Sequence, residues 1–405
     1  MNLILFLGAG VSVPSGLPTA TQLMDRILCD PYHHEGGGVF SAGLHNDPAH
    51  DSDDLTRRIR DLIRLLITYD ESDIKRVGYY VAGNGFKSSG AIYRGVRTTY
   101  EDVYFLCQQM SLWNIGLSDN SMTTPFMECI ERMAGDALSG PSTEARIWDL
   151  ATLSEKACYF IETVIADTLR RDYVTGFDLL LELANSPQIE QLNIVTLNHD
   201  TLVEQFLIQN KVMFVDGFGS LDGDVRWSDD RLYDDATAHI RLFKLHGSVD
   251  WYKFWDSPNR TASVLKLNAA TVTDATGKKL NPQTRRPTFL SGINKVTAYQ
   301  RGVFADVHYR FHELLRSCSD MVMSGYGWGD TAINFQLDKW LDDGSRNRII
   351  LMSESPEKLA DRSLILESSW DARIRSGQFI CIKKYFGNVS LNEIQAVLNT
   401  SALAL

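Results

Sequence analysis

Short apolar runs recur along this chain, and most of them stop at a glycine or a polar cluster. The first, Leu3–Leu7, ends in Gly8-Ala9-Gly10, and a helical pattern follows from about Thr19. Strand-like runs return much later, at Leu192–Leu197, Val212–Val215, Ile240–Leu245, Met321–Ser324, Ile349–Met352 and Phe379–Ile382. From Leu55 to about Ala184 the pattern is mainly helical, clearest over Leu55–Ile67, Thr99–Trp113 and Trp148–Thr168. Continuous apolar strands alternating with helices predict an α/β fold with a doubly wound parallel sheet, buried on both faces. The expected sheet domain is 1–30 plus 188–405, and 31–187 is a large, mainly helical insertion.

Three stretches lack periodicity. Asp30 to Asp54, with His33-His34-Glu35-Gly36-Gly37-Gly38 at its centre, reads as a mobile loop. Gly83 to Gly95 is a Gly/Ser-rich interruption, and Trp251 to Ile293 reads as an irregular polar insertion containing Pro258, Pro282 and Pro287. There is no internal repeat.

Composition narrows the function classes. With 405 residues, 44% hydrophobic and 22% charged, the chain has the make-up of a soluble globular protein. A net charge of -11 without a long basic run argues against direct, sequence-independent nucleic-acid binding. No apolar stretch approaches membrane-spanning length. The six cysteines are scattered without a Cys-x-x-Cys pair, which predicts a reducing cytoplasmic setting and no structural zinc.

The chemistry gathers at strand ends. Gly8-Ala9-Gly10 after a buried strand lets backbone approach a pyrophosphate, with N–H groups at the turn as donors. The third glycine of a dehydrogenase fingerprint is replaced by Val13, and the Lys-Ser/Thr pair of a P-loop is missing. The run Ile194–Leu197 delivers Asn198-His199-Asp200, Phe243–Leu245 delivers His246-Gly247-Ser248, and Met321–Met323 delivers Ser324-Gly325-Tyr326. Taken singly, Asn198 or Asp200 reads as a cap of the helix Thr201–Ile208, and His246 as a core histidine bonded to backbone. Four such ends in one parallel sheet converge, because ligands bind outside the carboxyl ends of the strands.

In this order, Gly-Ala-Gly-x-Ser, Thr-x-Asn-x-Asp, His-Gly and Gly-Tyr-x-x-x-Asp resemble the sirtuin-like superfamily, in particular its bacterial antiviral-defence NADase branch, as in sirtuin-like/HerA-type systems. Gly16-Leu17-Pro18, Asn198–Glu204 and Leu245–Trp251 are similar to that branch. The resemblance implies a Rossmann-like NAD-binding domain and cleavage of the nicotinamide–ribose bond. It implies that Gly8, Ala9, Gly10 and Ser12 contact the pyrophosphate. Asn198, on the strand that carries Thr196, faces the nicotinamide ribose, and Asp200 with the backbone of His199 holds the carboxamide. His246 is implied as the base; Ser324, Gly325 and Tyr326 line the phosphate and adenine-ribose side, with Ser353 and Glu354 near the adenosine.

Two departures separate this chain from the deacylases. It lacks their four-cysteine zinc module, and it has Pro18-Thr19-Ala20 where they carry Asp-Phe-Arg. Hydrolysis by water is therefore the expected reaction, with NAD as substrate and catalytic roles for Asn198 and His246. Other classes are a non-catalytic NAD-binding scaffold of a defence complex, and a protein deacylase or ADP-ribosyltransferase. An NADase left on is lethal, so gating is implied, by homo-oligomerisation, a co-encoded HerA-type ATPase or an Argonaute-type protein. Of the remaining candidates, His308 and His312 read as surface or satisfied histidines and not as a metal pair. His33-His34-Glu35 reads as a solvated loop, and Trp328 either packs or stacks on a base. Asp51-Ser52-Asp53-Asp54 caps the following helix.

Overall fold

A computed structural model describes residues 1–43, 53–67, 99–113, 123–135, 149–256, 261–267, 272–280, 286–291, 295, 298–360 and 362–400. The chain forms two compact units: Met1–Thr19, Leu169–Leu290 and Lys295–Leu405 make the first, and Ala20–Thr168 with Ser291–Asn294 the second. Among the described residues no helix is long and apolar enough to cross a membrane.

The strands, in chain order, are β1 (Asn2–Leu7), β2 (Tyr32–Gly36), β3 (Val39–Ala42), β4 (Gln191–Thr196), β5 (Val225–Trp227), β6 (Ile240–Lys244), β7 (Trp251–Asp256), β8 (Thr261–Leu267), β9 (Asp320–Ser324), β10 (Arg348–Met352) and β11 (Phe379–Ile382). The first unit is built on a six-stranded, all-parallel sheet in the order β11-β10-β9-β1-β4-β6. The chain winds out from β1 through β4 to β6, then returns to β9 on the other side of β1. This is the doubly wound order with its switch point between β1 and β9. Leu3, Ile4, Leu5, Phe6 and Leu7 are fully buried, as a strand covered on both faces requires, and each such side chain contributes roughly 1.5–3 kcal/mol. On one face Phe6, Phe243, Met323 and Leu351 pack with Phe311, Leu337 and Trp340 from the helices Gly302–Ser317 and Thr331–Asp343.

Three expectations change. Val212–Val215 is not a strand: Met213 is exposed, and only Val215 bridges the outer edge of β6, through Val215 N–H to Ile240 O and Leu242 N–H to Val215 O. Part of the expected insertion after Trp251 is ordered as β7 and β8, which with β5 form a three-stranded antiparallel sheet. Residues 32–42 are a hairpin of β2 and β3, and Gly36, Gly37 and Gly38, all at positive φ, turn the chain; residues 44–52 lie outside the described residues.

The second unit holds that hairpin and the helices Ala20–Cys29, 54–67, Tyr100–Trp113, Thr123–Met133 and most of Leu150–Leu169. The expected cap of helix 54–67 is Asp53, which accepts from Leu55 N–H and the Thr56 hydroxyl; Asp51 and Ser52, like Gly83–Gly95, fall outside the described residues. Phe160 meets Tyr32 and Phe40 edge-on, and the Arg60 guanidinium lies 5.5 Å over its ring.

Candidate active site

Parallel register aligns the strand ends. Ile382, Met352, Ser324, Leu7, Thr196 and Lys244 are successive neighbours across the sheet. The residues that follow them therefore leave the sheet side by side: Ser353, Gly325, Gly8, and, one further on, Asn198 and His246. The row joins segments that are far apart in sequence.

The glycine turn is a short 3-10 helix, Ala9–Ser15, begun at Gly8 and ended by Gly16 in the left-handed region (φ 81°). Its N–H groups are largely engaged: Gly8 donates to Ser324 O, Gly10 to Gly325 O and Val11 to Gly8 O. The expectation of free donors is corrected at these positions. The glycines answer to backbone packing. A Cβ on Gly8 would sit 2.5 Å from Gly325 O, one on Gly10 2.8 Å from Gly325 Cα, and one on Gly325 2.6 Å from Val11 N. Gly325 also lies at φ 69°. The loops after β1 and β9 thus touch main chain to main chain, which only residues without a side chain permit.

After β4 the pattern is polar. Asn198 is buried, and its amide donates to Gly8 O at 3.2 Å and to Ser12 Oγ at 3.1 Å. Ser12 in turn donates to Asp200 Oδ2 at 2.9 Å, while Asp200 Oδ1 accepts from Leu202 N–H at 3.1 Å. Asp200, one residue before the N-cap Thr201, therefore holds the first N–H of the helix Leu202–Gln209 and belongs to the strand-end cluster at once. Burial raises its carboxyl above the ordinary range, against the pull of Lys244 and these donors. The Thr196 hydroxyl donates to Leu7 O and accepts from Asn198 N–H, pinning the loop. Beneath it Lys244 donates to the Asp200 carbonyl and pairs with Glu204 at 3.0 Å. Glu204 also meets Lys266, which reaches Asp216 at 3.0 Å.

His199 and His246 lie with ring centroids 6.1 Å apart, and His199 packs at a tilt against Phe289, 4.6 Å between centroids. Burial, then the neighbouring His246, Lys295 and Lys244, holds His199 neutral, well below its ordinary pKa. Its carbonyl accepts from Val249 N–H and from the Ser248 hydroxyl, so the backbone assigned to the carboxamide is tied to the loop after β6.

His246 carries partners that its sequence neighbourhood did not disclose. Its Nε2 is 2.9 Å from Tyr299 Oη and 3.1 Å from Asp330 Oδ2, and Lys295 Nζ stands 3.5 Å from Nδ1. Tyr299 also donates to Asp330 Oδ2 at 2.9 Å, and Lys295 lies 3.7 Å from the same oxygen. Burial opposes ionisation of Asp330, but the hydrogen bond from His246, then Lys295 and Ile333 N–H, outweigh it and hold the carboxyl well below its ordinary range. His308 stacks on Tyr299 at 3.7 Å and reaches Leu245 O with Nε2 at 3.1 Å. Burial and His246 lower its pKa to about 3. Asp330 closes the Gly-Tyr-x-x-x-Asp motif, a signal that was present in the sequence; Lys295 and Tyr299 sit in no motif.

The other expected positions differ among themselves. Ser324 is buried at the end of β9, with its hydroxyl 3.4 Å from Met352 O. Tyr326 packs against Phe6 and Trp328, and its hydroxyl donates to Asn334 Oδ1 at 2.7 Å, which makes it a core residue beneath the loop. Trp328 packs on Phe379 with 2% exposure and is not a surface for a base to stack on. Ser353 is half-buried after β10, and Glu354 is exposed and bonded to Tyr385. A cavity of about 360 Å³ lined by residues such as Phe218, Trp227, Trp251 and Asp306 includes none of the expected site residues.

Residues 192–373, just under half of the chain, match the SIR2-like domain family. That span contains Asn198, Asp200, His246, Lys295, Tyr299 and Asp330. No curated protein sequence matches. Among solved structures the chain is similar to one described as "The Structural basis of Sirtuin Substrate Affinity", at 10% identity, TM-score 0.33, over 98% of this chain and 93% of that one. A Sir2 homologue in complex with ADP-ribose matches at 13% identity and TM-score 0.34, over 93% of this chain and 91% of that one. A complex named "Sir2-p53 peptide-NAD+" matches at 10% identity and TM-score 0.30, over 93% of each chain. The strand order and parallel register define the doubly wound fold.

Proposed function

We propose that this chain is an NAD+ glycohydrolase that uses water to convert NAD+ to nicotinamide and ADP-ribose. The observation that carries the reading is the strand-end row, which sets Ser12, Asn198, Asp200 and His246 at neighbouring ends of a doubly wound sheet. The SIR2-like domain match over residues 192–373 supports NAD as the ligand. In this reading the pyrophosphate lies along the turn Gly8–Ser12, at the switch point. Ser324 and Gly325 shape its other wall, and Ser353 and Glu354 lie toward the adenosine.

Substrate exchanges its own groups for bonds that the protein makes internally. The Asn198 amide leaves Gly8 O or Ser12 Oγ for a ribose hydroxyl, and Asp200 takes the carboxamide N–H in place of the Ser12 hydroxyl. The C1′–nitrogen bond breaks, and its electron pair leaves with neutral nicotinamide. A water oxygen bonds to C1′, and its proton passes to His246. The biological reading that goes with this chemistry is depletion of NAD+ in bacterial antiviral defence, in the cytoplasm, gated by oligomerisation or by a partner such as a HerA-type ATPase.

The test is nicotinamide release by the purified chain, alone and with the products of its neighbouring genes. Release that is lost in Asn198→Ala without loss of fold supports the reading. No release under any condition, with defence intact in Asn198→Ala, returns the chain to a binding scaffold.

A further inference from the structure

His246 has polar partners at both ring nitrogens, and the charged ones are of opposite sign on the two sides. At Nε2 stand the Asp330 carboxylate, 3.1 Å away, and the Tyr299 hydroxyl, 2.9 Å away; at Nδ1 stands the Lys295 ammonium, 3.5 Å away. A carboxylate accepts and an ammonium donates, so these partners select the neutral tautomer with Nε2–H toward Asp330 and a lone pair on Nδ1. Tyr299 donates to the same Asp330 oxygen, and Asp330 Oδ1 is held by Ile333 N–H at the start of the helix Thr331–Asp343. All four side chains are less than one-tenth exposed. The carboxylate is thus fixed by a helix start, braced by a phenol and aimed at one imidazole nitrogen.

We propose that Asp330, braced by Tyr299, is the positioning residue for His246, that Nδ1 is the nitrogen that takes the proton, and that Lys295 masks it until displaced. The catalytic arm of this inference rests on the hydrolase reading. During hydrolysis the water proton moves to Nδ1, and the resulting imidazolium is stabilised by Asp330 through Nε2–H. While Lys295 donates to Nδ1 the base is occupied, and an ammonium at that distance disfavours a second positive charge on the ring. Among the described residues, the other titratable groups beside His246 are neutral or turned to other partners. His199, after β4, and His308, on the helix Gly302–Ser317, are both held neutral by burial. Lys244, on β6, is turned to Asp200 and Glu204.

The experiment is nitrogen NMR of the full-length chain with labelled histidine rings across a pH series, the His246 signals being assigned by their loss in His246→Gln. The wild-type chain is expected to show the Nε2–H tautomer at neutral pH. Asp330→Asn keeps an acceptor for Ile333 N–H and is expected to lower the His246 midpoint by about one pH unit and mix the tautomers. Lys295→Met is expected to raise it by about one unit. Tyr299→Phe leaves the carboxylate in place and gives a smaller shift in the direction of Asp330→Asn. An Nδ1–H tautomer in the wild type, or midpoints unmoved in folded Asp330→Asn and Lys295→Met, overturns the assignment. In parallel, nicotinamide release is expected to fall by roughly a hundredfold or more in Asp330→Asn through kcat, and to rise severalfold in Lys295→Met. A rate that falls or stays level in Lys295→Met removes the masking role. If no variant and no wild-type sample releases nicotinamide, the hydrolase reading fails, while the spectra still decide how His246 is held.

Discussion

The two sides of β1 end in different ways. Toward β9 the chain leaves the sheet as Gly8–Gly10 and Gly325, backbone pressed on backbone, with Tyr326 sealed beneath by Asn334. Toward β4 and β6 it leaves as Asn198, Asp200 and His246, side chains linked by hydrogen bonds to Ser12, Tyr299 and Asp330. One side is shaped by the absence of side chains and the other by their chemistry. A glycine turn after a first strand is therefore weak evidence for a phosphate by itself, because close packing of two loops demands the same residues. The polar side carries the functional argument.

That contrast can be broken at several points. On the polar side, His246→Gln is expected to lower nicotinamide release by about 10²–10⁴-fold while circular dichroism and melting stay close to wild type. A parallel collapse of the fold would make His246 a structural residue. On the glycine side the order reverses: Gly325→Ala combines a φ of 69° with a Cβ 2.6 Å from Val11 N. It is expected to cost about 2–4 kcal/mol in denaturant unfolding. An unchanged midpoint would show that the loops can separate freely.

Acid sharpens the comparison next. His308 has its pKa lowered to about 3 from an ordinary 6.5, so the unfolded chain binds the proton first. Stability from the neutral ring is full above pH 6.5 and is lost as pH falls from there toward 3. Melting temperature followed over that window should fall less steeply in His308→Phe, and identical slopes would contradict the burial of a neutral ring. The smallest effect belongs to the seam. Ser12→Ala removes one donor to Asp200 and one acceptor from Asn198. It is expected to cost about 1–2 kcal/mol, and a larger loss would place more of the fold on this hydroxyl than the bonds account for.

Much of the fold was legible because fully buried parallel strands leave an unambiguous mark. Leu3–Leu7 and Phe379–Ile382 are continuous apolar runs bounded by polar or turn residues. Val212–Val215 shows the limit of that signal: it is as apolar as a strand, yet only Val215 finds a partner at the edge of β6. The hairpin 32–42 was hidden by its own turn, since three glycines in a row read as a loop when their positive φ values are unknown. β7 and β8 were obscured by the prolines and polar residues around them. In the site, Asn198, Asp200 and His246 were visible because each follows a strand directly. Lys295 and Tyr299 reach His246 from about 50 positions away, and no local pattern encodes such a contact. Asp330 was visible as a motif residue, but its task depends on a neighbour that only the fold supplies.

The central claim is that water, at the ends of β4 and β6, takes the place of nicotinamide on the ribose. The most direct measurement is mass spectrometry of the products formed from NAD+ in water enriched in heavy oxygen, with the wild-type chain in its active assembly and Asn198→Ala beside it. Free ADP-ribose carrying one heavy oxygen, in amounts equal to nicotinamide and absent with Asn198→Ala, is the predicted result. Nicotinamide without free ADP-ribose, or equal product from Asn198→Ala, would contradict it.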